Sequence, residues 1–132
     1  MPITFHPQPG TVLICDFATG FQPPEMVKRR HVVVVSPRRR HYSGLCLVVP
    51  FSTVAPNPVE AFHHLIPVGA YPFFHPKKDV WAKGDMLTCL AFRRLDRVLL
   101  NGRYSAPNLQ LDDFAAIQRA VLAALKLETC IP

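Results

Sequence analysis

The sequence has no apolar run approaching the roughly 20 residues that a membrane-spanning helix needs, so no membrane partner is expected. Between Met1 and Gly10 there is no basic stretch followed by an apolar one. A secretory leader is therefore not expected, and the cytoplasm is the expected compartment. Cysteine is scarce and scattered, and Cys15, Cys46, Cys89 and Cys130 form no C-x-x-C pair. In a reducing compartment they read as free thiols. The first three lie in apolar runs, where a thiol behaves as a small hydrophobe. Without close ligand pairs no zinc site is expected. Walker loop, G-x-S-x-G elbow, H-E-x-x-H pair and D-x-D cluster are all missing. Their absence removes the common nucleotide-hydrolase, serine-hydrolase and metallohydrolase signatures, and no metal or cofactor is expected. Acidic residues are also few: 9 Asp and Glu against 15 Lys and Arg, for a net charge of +6. That excess favours a polyanionic partner such as nucleic acid or an acidic protein.

What is present is mostly short β-pattern in 132 residues, enough for one core and one domain, 1–132. Thr11–Phe17 reads as a strand and is followed by a Gly/Pro loop. Val32–Ser36 is a run of β-branched residues, too short for a helix and suited to a buried strand. Gly44–Phe51 is a third strand, and its Pro50 suggests a strand end or an edge. Phe62–Val68 is a fourth. Asp79–Phe92 is apolar but interrupted at Gly84, which predicts a bend between two strands. Leu95–Leu100 is a last short strand closed by the turn signal Asn101-Gly102. The period then changes. Leu111, Phe114, Ala115, Val121, Leu122 and Leu125 recur at helical spacing. Asp112 is the expected N-cap, with Asp113 in the first turn and Lys126 in the last. The expected fold is mainly β: five to seven strands in a curled antiparallel sheet or small barrel, covered by one C-terminal α-helix.

The chemistry-bearing residues lie near the strand ends. Lys28, Arg29, Arg30 and His31 precede the valine run, and Arg38, Arg39 and Arg40 follow it. Glu25 stands five residues before Arg30. Ser52 and Thr53 place two hydroxyls at the end of the third strand. Lys83 and Asp85 place a cation and a carboxylate at the Gly84 bend. Arginine suits phosphate because its planar fork makes paired hydrogen bonds and keeps its proton. Such groups on neighbouring loops can bind or cleave a phosphodiester. Each also has a structural use. Ser52 and Thr53 can cap a turn. Glu25 can pair with Lys28 or Arg29, and Asp85 can bond to backbone at a bulge. His63 and His64 fall on opposite faces of a regular strand, so they cannot chelate one metal together. Phe73, Phe74 and His75, beside Lys77 and Lys78, form either a packed loop or a base-stacking platform. Trp81 reads as core or interface.

The order of these pieces resembles one family. PGTVLICDF, a loop, E-x4-R-x-VVVVSP, GLCLVVPFST and KGDMLTCLAFRRLDRV before a final helix are similar to the MazF/PemK toxin ribonucleases, over roughly Pro9 to Leu125. The resemblance implies a small, strongly bent antiparallel sheet, SH3-like or CcdB-like, with a C-terminal helix. It implies a homodimer that cuts single-stranded RNA without a metal and is blocked by a cognate antitoxin.

Residue by residue, the resemblance puts Arg30 in the place of the family's catalytic arginine. Ser52 takes that of its catalytic threonine, with Thr53 as neighbour. Glu25 matches a loop glutamate and Asp85 a late acidic residue. Lys83 stands where some members have arginine. Three departures stand out: Ser52 itself, His31 in place of a proline, and the longer proline-rich segment Gly69–Asp79. The implied reaction is attack by the RNA 2′-hydroxyl on the adjacent phosphate. Arg30 would stabilise the charge that develops, and Ser52 would orient a phosphate oxygen. Glu25, Asp85 and His31 are all candidates for the base. Lys28, Arg29, His31, Thr53 and Lys83 would contact RNA, and Arg38–Arg40 would hold flanking phosphates or the antitoxin. Two other readings use the same residues: a non-enzymatic growth inhibitor like CcdB, and a nucleic-acid-binding homologue that does not cut.

Overall fold

The computed structural model describes residues 2–17, 20–24, 28–38 and 44–127. The strands, in chain order, are β1 (Val12–Asp16), β2 (Arg29–Val34), β3 (Leu45–Ser52), β4 (His63–Ile66), β5 (Val80–Lys83), β6 (Thr88–Ala91), β7 (Leu95–Asp96), β8 (Val98–Leu100) and β9 (Arg103–Ser105). Short 3₁₀ turns, Gly84–Met86 and Phe92–Arg94, separate β5 from β6 and β6 from β7. One helix, α1 (Leu111–Ala124), closes the described chain. The main sheet is antiparallel in the order β4-β5-β3-β2-β1-β7, with β6 also paired to β3. Among the described residues it does not close into a barrel; it stays a bent open sheet.

The bend lies in β3. Leu45–Val48 pair with β6, whereas Phe51 and Ser52 pair with β5. Pro50 falls between the two ladders, where a missing N–H forfeits no bond on that side. It therefore sits inside the strand, not at its end. Gly84 bends as expected, for a steric reason. A Cβ there would meet the Ala120 backbone and the Phe62 carbonyl oxygen, each at 2.9 Å. The glycine lets α1 lie directly against the turn.

The valine run does not alternate because both faces of β2 are buried. Val33 joins Val12, Val49, Phe51, Ile66 and Ile117 on the side that α1 covers. Val32 and Val34 join Leu13, Phe17, Cys46 and Leu90 on the other. The strand begins at Arg29, three residues before the valines, because its ladder with β1 continues to Asp16↔Arg29. Cys15 and Cys46 are buried as expected, but Cys89 is exposed on β6; Cys130 lies outside the described residues.

The C-terminal third departs furthest from expectation. The single strand expected over Leu95–Leu100 is two, β7 in the main sheet and β8 in a separate hairpin with the unanticipated β9. Asn101 (φ 52°) and Gly102 (φ 77°) both take left-handed backbone, the two-residue turn that matches hairpin twist. The helix starts at Leu111 with Gln110 as N-cap, so Asp112 sits in the first turn beside Asp113. Leu111 is 84% exposed and is not part of the core stripe, which runs through Ile117 and Ala120. Lys126 lies past the helix at φ 56°. The Leu127 N–H reaches the Leu122 carbonyl and the Lys126 N–H the Ala123 carbonyl, which satisfies the last turn.

Candidate active site

The N-terminal end of β2 and the C-terminal end of β3 meet in a cleft of about 380 Å³. Arg29, Arg30 and His31 line one wall, Phe51, Ser52 and Thr53 a second. Phe73, Phe74 and His75, from the segment after β4, form the third, with Val80. The β2–β3 register explains the first two walls. Val32 faces Pro50 where the β2–β3 ladder ends; Arg30 and Ser52 each lie two residues beyond that pair, and strand alternation puts both on the face of their neighbours Val32 and Pro50. Both side chains are therefore carried by paired strands and not by loops, as the sequence suggested for Arg30. Arg30 is half-buried, and its Nε is shielded from solvent without a hydrogen-bond partner. Ser52 is buried, and its Oγ accepts a bond from the Val54 N–H at 3.1 Å. That is the turn-capping role, and it leaves the hydroxyl proton available to a ligand.

His31 leaves β2 on the opposite face to Arg30 and enters an aromatic cluster. Its ring lies 5.2 Å from Phe74, edge to face, and 6.5 Å from Phe73. Burial pushes its pKa below the ordinary histidine value, and a hydrogen bond to the Phe73 backbone partly opposes that. It is accordingly uncharged at neutral pH. Cys15 faces Arg30 across the β1–β2 ladder. Burial pushes its thiol up to about 12, so no thiolate nucleophile is present there.

The other expected site residues scatter. Asp85 is exposed and lines a different cleft with Phe17, Phe21, Pro50 and Met86. Lys83 ends β5 opposite His63 and does not line the Arg30 cleft. Lys28 is exposed beside the start of β2, and Arg38 is exposed beyond its other end. Glu25, Arg39 and Arg40 lie outside the described residues. Trp81 is half-buried and pairs with Ser52. His63 and His64 do point apart. His63 Nδ1 accepts from the Glu60 N–H, whereas His64 Nε2 meets the Asp113 carboxylate at 2.9 Å. Among the described residues no three His, Cys, Asp or Glu side chains converge to hold a metal. No helix among them is long and apolar enough to cross a membrane.

Two arrangements escaped the sequence. Arg29 also lines a second cleft, where Arg93 and Arg94 stand with Asp16 and Asp96. The other is a brace under the aromatic wall. The Tyr71 hydroxyl donates to Asp113 at 2.6 Å and accepts from the Gln110 N–H at 2.9 Å. Asp113 thus ties the Tyr71–His75 segment, β4 and α1 together.

This fold has counterparts among known proteins. Residues 8–125 match the family of PemK-like, MazF-like toxins of type II toxin–antitoxin systems. The chain belongs to that family. Two full-length relatives are an uncharacterized Haemophilus influenzae protein, 27% identical over 99% of both chains, and Escherichia coli K12 YifN, 30% identical over 95% of both. In structure the chain is similar to MazF of Deinococcus radiodurans, with a TM-score of 0.67, 18% identity, and 92% and 98% of the two chains covered. It is also similar to a mycobacterial endoribonuclease solved with its cognate antitoxin, with a TM-score of 0.63, 16% identity, and 92% and 96% covered. At these identities the solved structures establish the bent-sheet fold.

Proposed function

We propose that this PemK/MazF-family toxin is an endoribonuclease that cuts single-stranded RNA sequence-selectively and without a metal, in the cytoplasm, under control of a cognate antitoxin. The observation that carries the reading is Arg30: a shielded guanidinium Nε with no partner, in the same open cleft as a serine hydroxyl. An unmatched buried donor is costly, and a phosphate oxygen is the partner that offsets it. In the reaction, the 2′-oxygen loses its proton and attacks the adjacent phosphorus, the P–O5′ bond breaks, and the leaving 5′-oxygen takes a proton from water. The products are a 2′,3′-cyclic phosphate and a 5′-hydroxyl. Arg30 stabilises the charge on the phosphoryl oxygens, and Ser52 donates to one of them.

Of the three candidates for base, Glu25 lies outside the described residues and Asp85 opens to another cleft. His31 lines the cleft and is uncharged, as a base must be, but it leaves β2 on the face opposite Arg30. No nucleophilic side chain is required, because the substrate supplies its own. One domain over 1–132 assembles as a homodimer in this reading, which would cover part of the exposed sheet edge.

The test is incubation of the pure protein with a long RNA in EDTA, followed by mapping of the 5′ ends. Discrete cuts bearing 5′-hydroxyls are expected, and a 2′-deoxy sugar at the cut position should abolish them. Equal cutting of the deoxy substrate refutes the internal attack. RNA binding without cutting points instead to a non-cutting member of the family.

A further inference from the structure

The proline-rich segment over Gly69–Asp79 supplies one whole wall of the Arg30 cleft, and that wall is aromatic. Phe74 is the buried anchor: its ring lies 4.8 Å from Phe51 and 4.7 Å from Phe73. Phe73 is only half-buried. Its ring packs 5.2 Å from Tyr71 on one side, while it also lines the open cleft. The segment is tied down at two points, and a third bond orders it from within. Tyr71 donates to Asp113. The Asp79 carboxylate accepts from the Val68 N–H at 2.8 Å. The His75 Nδ1 accepts from the Lys77 N–H at 3.0 Å, which keeps that ring at the cleft mouth. Most telling is the link to β2: the His31 ring packs against this wall, 6.5 Å from Phe73 and 5.2 Å from Phe74. A ring that lines an open cleft shared with Arg30, is braced this firmly and packs against the residue beside Arg30 is not explained by core packing alone.

We infer that Phe73 is a nucleobase-stacking residue: it takes the base of the nucleotide whose phosphate lies at Arg30 and Ser52. The chemistry fits the substrate class. Single-stranded RNA exposes unstacked bases, and proteins hold them on aromatic faces beside backbone-binding cations. The cleft volume of about 380 Å³ suits one nucleotide unit and not a duplex. Phe73 fixes the base, the strand ends fix the phosphate, and the sugar between them is set for attack. The inference rests on the endoribonuclease reading for its substrate, but not on cutting for its test.

The test uses the intact protein and an uncleavable 2′-deoxy oligonucleotide of mixed sequence carrying 2-aminopurine, whose fluorescence falls when the base stacks. Wild type is expected to bind with quenching. Phe73→Ala should lose the quench and raise Kd about 5- to 100-fold, the range for one stacked base. Phe73→Tyr should restore both, which separates loss of a stacking face from a folding defect. Binding with an undiminished quench in Phe73→Ala overturns the inference, as does failure of Phe73→Tyr to restore a lost quench. Quenching by a wild type that never cuts RNA leaves the inference standing and removes the endoribonuclease reading. No binding by a wild type that cuts RNA overturns the inference and leaves the endoribonuclease reading standing.

Discussion

Arg30→Ala separates a group kept for function from one kept for stability. Two opposing effects set its stability. The substitution deletes a shielded Nε that has no partner; such an unmet donor costs about 1–3 kcal/mol, which the variant recovers. It also deletes the stem methylenes beyond Cβ, and lost burial costs about 0.8 kcal/mol for each. Arg30 is only half-buried, so these terms nearly cancel, and the net change should lie within about 1 kcal/mol. The catalytic effect has no such offset. Charge builds on the phosphoryl oxygens only in the transition state, and removing one well-placed donor typically costs 10²- to 10³-fold in rate, about 2.7–4 kcal/mol. Arg30→Ala should therefore melt within a few degrees of wild type while single-turnover cleavage falls at least about 100-fold. Arg30→Lys keeps the charge but loses the fork, and should recover only part of the rate. Arg38→Ala is the contrast. β2 alone puts about 13 Å between Arg30 and Val34 at 3.3 Å per residue, and Arg38 lies exposed beyond it. Its loss should weaken RNA binding and flatten the salt dependence by up to about 0.7 log units per contact, with the cleavage step unchanged. The reasoning fails if Arg30→Ala unfolds the protein, or if it weakens binding as much as it slows cutting; Arg30 would then be a structural or gripping residue.

Three further outcomes follow from the packing and the buried titratable groups. Gly84→Ala should destabilise by about 1–3 kcal/mol in denaturant melts, because its methyl would meet the Ala120 backbone at 2.9 Å; a wild-type midpoint would show that α1 can slide away. His31 has a folded pKa below its unfolded value, so the unfolded chain binds the extra proton. The stability it contributes should be present above about pH 6.5 and decline as pH falls below that, and His31→Phe should remove that dependence from urea midpoints. The Tyr71 phenol is pushed up to about 12, first by burial and then by its bond to Asp113. Its contribution should hold below about pH 10 and decline as pH rises toward the folded value. Tyr71→Phe should lose that alkaline decline and cost about 1 kcal/mol at neutral pH; an unchanged alkaline profile would show that another group controls it.

Local pattern settled a good part of this protein. The valine run had to be a strand buried on both faces. The change to helical spacing after Leu109 had to be a helix, and Gly84 had to be a bend. Arg30 and Ser52 could be singled out because a motif in chain order marks them, although chain order cannot say that they meet. Contacts between distant segments were beyond such reading, since periodicity reports which face a residue takes and not what faces it. Arg30 looked loop-borne until the β1 ladder extended β2 back to Arg29. Pro50 looked like a strand end until β3 was seen to change partners around it. Asp85 looked like a neighbour of Arg30, yet the turn at Gly84–Met86 directs it into another cleft. Phe73 and His75 showed no more than a choice between packing and stacking. The tertiary fold brings their segment to the ends of β2 and β3, where Phe74 packs and Phe73 faces the cleft. Short-range spacing decided which elements form; the register between strands, set by burial on both sheet faces, decided which side chains share a site.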